Sequence, residues 1–174
     1  LMPSAAHPLG LRCLHAHATH PQADLALELV WAQLASQGAR ELGATLGWCY
    51  LSDALAPGAE AIMRGLRQHL PDVAWVGAVG AGVAATGVEY LGDPALAVML
   101  CNLPRDDFRI FHGRHPLPLA RPLSLPRQGW HAHAAQVHAD GQTPDLSDLL
   151  RELAERTDSG YLFGGLSAGQ AHSL

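Results

Sequence analysis

Charged side chains are scarce in this sequence, at 16% of 174 residues, low for a domain whose whole surface meets water. The shortfall predicts that part of the surface is covered by further chain or by a partner. Basic residues form no stripe and the formal net charge is −5, so nucleic acid is not an expected partner. No apolar run approaches the roughly 18 residues that a membrane span needs. The first ten residues have neither the charged start nor the apolar stretch of a secretory leader. Cysteines number three, Cys13, Cys49 and Cys101, at spacings that match no zinc or redox motif. All lie in apolar, strand-like runs and read as small buried hydrophobes, which suits a reducing, cytoplasmic setting. What is abundant is apolar residues, 48% of the chain, enough for a sizeable core in one domain or two small lobes.

The order of elements predicts an α/β fold, with mixed sheets flanked by helices. Leu11 to Ala18 alternates as a strand. Thr19 then stands three residues before Gln22, as in a capping box, with Pro21 suited to the first turn. Leu27, Val30, Trp31 and Leu34 make one helical face, and Gly38 ends it. Leu46 to Leu51 is a strand, Ser52 to Pro57 a loop, and Gly58 to Leu70 a helix stopped by Pro71. Val73 to Val76 is a strand leading into a glycine loop, Gly77 to Gly82. Ala95 to Cys101 reads as a central strand, with Asp107 to Phe111 paired beside it. The prolines between Gly113 and Gly129 predict an extended connector. A strand (131–139), a helix (144–157), a strand (160–163) and a second glycine loop, Gly164 to Gly169, complete the chain.

The two halves resemble each other at an offset of 87. Trp48–Gly82 lies on Ala135–Gly169, and Asp53/Asp140, Pro57/Pro144, Arg64/Arg151, Leu66/Leu153, Gly77/Gly164, Ala81/Ala168 and Gly82/Gly169 are identical. Two strand–helix–strand–glycine-loop units, about 44–103 and 131–169, are therefore expected to pack about an approximate twofold, with function where the equivalent loops meet. Glycines allow close backbone approach, and successive N–H groups can form an anion-binding nest. The predicted ligand contacts are Gly77, Ala78, Gly80, Gly82, Gly164, Gly165, Ser167 and Gly169. Asp53 and Asp140 join them, either as helix-entry caps or as partners for a ligand amine.

Three further chemistries are open. Gly165-Leu166-Ser167-Ala168-Gly169 matches the nucleophile elbow of hydrolases, but no carboxylate follows it. Eleven histidines include His15/His17 and His131/His133, whose i, i+2 spacing puts both rings on one strand face, where a transition metal or haem iron can be held if a further ligand joins. Gly77 to Gly82 has the spacing G-x-x-G-x-G with no amphipathic helix behind it, which argues against a nucleotide loop.

The segments LRQHLPDVAWVGAVGAGV, DPALAVMLCNLP and YLFGGLSAG resemble the N-terminal part of the FIST domain, over about Leu11 to Gly169. The resemblance implies a cytoplasmic sensory domain of signal transduction that binds a small molecule without catalysis, with amino acids or their derivatives as ligands. Haem and nitric oxide sensing are associated with some members. A C-terminal FIST portion or a signalling protein is the implied partner. Where the family has a polar Cys-Thr/Ser pair in its first glycine loop, this chain has Ala78-Val79, which removes those side-chain contacts.

Overall fold

The computed structural model describes residues 10–111 and 132–167. Four strands form one mixed sheet: β1 (Cys13–Thr19), β2 (Leu46–Ser52), β3 (Ala74–Gly80) and β6 (Ala95–Cys101), in the order β1-β6-β2-β3. β6 runs antiparallel to both neighbours, and β2 pairs parallel with β3. β6 is central, as its continuous apolar run predicts. Both of its edges are taken, so the alternating stretch that ends at Phe111 has nothing to pair with. It forms a short 3₁₀ turn (Arg105–Asp107) and then irregular chain, not the expected strand.

Helices α1 (Ala23–Ser36) and α2 (Ala59–His69) cover one face of this sheet. Ala26, Val30 and Leu34 of α1 and Ile62, Met63 and Leu66 of α2 are buried against Ala16, Cys49, Leu51, Val79, Leu96, Val98 and Leu100. Alternation along each strand sends these residues to the helical side and their neighbours to the other. Trp31 stacks on His69 at 4.1 Å between centroids, joining the two helices. The cap of α1 differs from the expected one. Thr19 is the last residue of β1, and His20 Nδ1 accepts the Gln22 N–H instead. Gly38 ends α1 as expected, with φ +86° and its N–H on the Ala35 carbonyl. The loop predicted after β2 is a 3₁₀ turn, Asp53–Gly58.

The first glycine segment is not a loop. Gly77 and Gly80 lie within β3, and Gly82 opens β4 (Gly82–Ala85), which forms a hairpin with β5 (Val88–Leu91). The hairpin turns at Gly87, φ +78°. Val83 packs with Ala95 and Ala97, and Tyr50, Ala85 and Tyr90 surround them on the face away from the helices.

The second unit is β7 (Ala134–Asp140), α3 (Leu146–Glu155) and β8 (Tyr161–Ser167), with β7 and β8 parallel. Here too the expected glycine segment is strand up to Ser167, and Gly169 lies outside the described residues, as does the Pro-rich connector. Among the described residues no helix is long and apolar enough to cross a membrane.

The two units correspond in register. β7 begins 88 residues after β2 and β8 begins 87 after β3, each with the same length. The one-residue step falls between strand and helix. Asp140, last in β7, therefore corresponds to Ser52, last in β2, and not to Asp53 in the following turn.

Candidate functional site

The units touch through β2 and β7. Alternation puts Trp48 and Tyr50 on the face of the main sheet that the helices leave open. Trp48 Nε1–H donates to Gln136 Oε1 at 2.7 Å. Gln136 Nε2 donates to the Tyr50 oxygen at 3.3 Å, and the Tyr50 hydroxyl lies 2.9 Å from His138 Nε2. The Tyr50 and His138 rings are tilted at 5.5 Å. The contacts join Trp48 to Gln136 and Tyr50 to His138, and each pair is separated by the strand offset of 88. The Tyr50 ring is held from below by the hairpin cluster, so its hydroxyl is aimed rather than free. Burial raises the Tyr50 pKa, which keeps the proton on the oxygen, and burial lowers that of His138, which favours the neutral ring.

Beside this chain of bonds lies a cavity of about 430 Å³, lined from both units. Its origin is a run of small residues on the second strand of each unit. Ala78 is the register partner of Tyr50, and Gly80 that of Ser52. Gly165 is the partner of His138, and Ser167 that of Asp140. A Cβ on Gly165 would meet nothing within 4 Å, so space opens next to the imidazole. Gln136, Tyr50, His138 and Phe163 supply the larger walls.

Six of the predicted contacts, Ala78, Gly80, Gly82, Gly164, Gly165 and Ser167, line this cavity. Gly77 is buried one residue before Ala78 and is not among the lining residues. A Cβ there would sit 2.8 Å from the Cys49 carbonyl carbon, with the oxygen nearer still. Gly164, at φ +137°, has the same relation to Val137. These two glycines let adjacent strands close up, which is a packing role. Asp53 is exposed at the start of its 3₁₀ turn. Asp140 Oδ1 accepts the Gln142 N–H at 2.9 Å in a local turn. Neither aspartate lines the cavity.

Ser167 is buried at the end of β8, and its Oγ donates to the Ala139 carbonyl at 3.3 Å. It closes a strand rather than standing on a turn between strand and helix, the placement a nucleophile elbow requires. His15 is exposed on β1, while His17 Nδ1 lies 2.7 Å from the Tyr90 hydroxyl. His133 is exposed, and His131 lies outside the described residues. Among the described residues no group of three His, Cys, Asp or Glu side chains is placed to hold a metal ion. Cys49 and Cys101 are buried as expected, but Cys13 is exposed.

A family model, the FIST N domain, matches residues 45–174, which takes in β2, the α2 unit and the whole of the second unit. The chain belongs to the FIST N domain family. This is a family of sensory domains in signal transduction. No curated protein and no solved structure matches the chain. Within this FIST N domain, sequence reasoning located the glycine half of the cavity but not Tyr50, Gln136 or His138. The available cue was alternation, which sets His138 on the strand face opposite His131 and His133.

Proposed function

We propose that this FIST N domain is a non-catalytic sensory module that binds a small molecule in the cavity between its two strand–helix–strand units. One observation carries the reading. The residues that wall the cavity, Tyr50, Gln136 and His138, are the same residues whose hydrogen bonds join the units. A ligand that exchanges contacts with them changes the free energy of the interface, and differential affinity for two arrangements is what shifts a population. The family supplies the sensory context. A C-terminal FIST portion or a signalling protein is the proposed reader, and three free cysteines suit a cytoplasmic home.

The test is native mass spectrometry with an absorption spectrum on the purified chain and on Gly165→Trp. The variant folds, because position 165 faces open space, but its indole fills the cavity. A co-purified small mass present in the parent and missing in the variant is the expected result. An equal ligand load in both would remove the cavity from the function, and a haem absorption band would move attention to the histidines.

A further inference from the structure

The order of donors and acceptors in the bond chain dictates what the cavity offers a ligand. An indole nitrogen can only donate, so Gln136 turns its amide oxygen to Trp48 and its NH₂ to the Tyr50 oxygen. The Tyr50 proton then has one acceptor among its partners, His138 Nε2. With Nε2 accepting, the neutral imidazole carries its hydrogen on Nδ1. No described residue bonds Nδ1, and the one sealed polar side-chain atom without a partner among the described residues is Trp75 Nε1. Nδ1–H is therefore an unsatisfied donor on a residue that lines the cavity, beside the open position at Gly165.

We infer that the cavity takes an uncharged ligand whose carbonyl oxygen is received by His138 Nδ1–H and whose flat apolar body lies along Phe163. This rests on the cavity being the ligand site. No Asp, Glu, Lys or Arg stands among the lining residues. A carboxylate entering it exchanges water for one neutral donor and no cation, and an ammonium group finds no carboxylate. A neutral carbonyl loses least water and gains the one bond on offer. Phe163 presents a half-exposed ring from the same strand face as Gly165.

Three isosteric probes, benzamide, benzoate and benzamidinium, separate the charge classes on the full chain. Binding is followed by long-range ¹H–¹⁵N correlation of the histidine side chains, with His138 assigned by the loss of its signals in His138→Gln. The free protein is expected to show His138 protonated on Nδ1. Benzamide is expected to bind best of the three and to shift that signal. His138→Gln, which keeps an acceptor toward Tyr50 but loses the Nδ1 donor, weakens benzamide about three- to tenfold, the worth of one neutral hydrogen bond. His138→Asn, which keeps a donor near Nδ1, weakens it less. A proton on Nε2 overturns the donor assignment. Preferential binding of benzoate or benzamidinium that disappears in Gly165→Trp overturns the ligand class and leaves the cavity as a site. Binding of none of the three at millimolar concentration overturns the ligand class as well. Benzamide affinity unchanged in Gly165→Trp overturns the cavity reading itself.

Discussion

A methyl group at Gly77 tests whether the glycines of β3 serve packing or the cavity. The Cβ of Gly77→Ala would lie 2.8 Å from the Cys49 carbonyl carbon, on backbone that belongs to β2, the strand between β6 and β3. No side chain can rotate away to relieve this. β3 is the edge strand, so it must move outward by roughly an ångström to restore ordinary contact. Such a shift loosens two or three ladder hydrogen bonds at about 1 kcal/mol each, and the substitution is expected to cost about 3 kcal/mol. In a domain of this length that lowers the melting temperature by about 10 °C. The control is Gly165→Ala, where nothing lies within 4 Å and stability changes by no more than about 0.5 kcal/mol. Thermal melts by circular dichroism, with urea titration for the free energies, make the comparison. A Gly77→Ala melt within about 2 °C of the parent would refute the packing assignment.

Tyr50→Phe removes the oxygen that links Gln136 to His138 and is expected to destabilise by about 1–2 kcal/mol, and a double-mutant cycle with His138→Gln should show the coupling; additive single effects would mean the bond contributes nothing. Burial depresses the His138 pKa below its ordinary value of 6.5, so the unfolded chain takes up the proton first as pH falls. Stability from this group is full above pH 6.5 and is lost as pH falls from there through the depressed folded value. His138→Gln should flatten that part of the pH–stability curve, and an unchanged acid limb would count against it. Burial pushes the Cys49 thiol to about 12, and burial together with Cys13 pushes Cys101 to about 11. A thiol reagent at neutral pH should therefore label the exposed Cys13 first, as peptide mapping would show, and early labelling of Cys49 would contradict the packing of β2.

Much of the first unit is legible because its signals are local. The apolar run Ala95–Cys101 is a strand with the bounds it suggests, and the α2 face at Ile62, Met63 and Leu66 follows helical spacing. The misreadings come from cues whose meaning depends on a neighbour. Glycine is read as a turn former, but Gly77 and Gly164 are strand residues whose requirement is set by a carbonyl on the adjacent strand, more than twenty positions away. The alternation leading to Phe111 is real, yet a strand also needs a free edge, and β1 and β2 already occupy both sides of β6. Thr19 has the chemistry of a helix cap but is used by the ladder with Ala95.

The polar half of the cavity was hidden for a deeper reason. Residues that face each other across the two units stand at corresponding positions, Trp48 with Gln136 and Tyr50 with His138. Two identical side chains cannot satisfy one another there. Trp48 only donates, so its partner must accept. The Tyr50 proton likewise needs an unprotonated nitrogen opposite it. The contact demands difference at the facing positions, whereas Gly77 and Gly164, set by the same strand geometry in each unit, demand identity. A comparison of the halves by identity finds the glycines and passes over the residues that join the units. Complementary residue types at facing positions, taken one residue out of the register that the glycines define, are the signal that locates such a site.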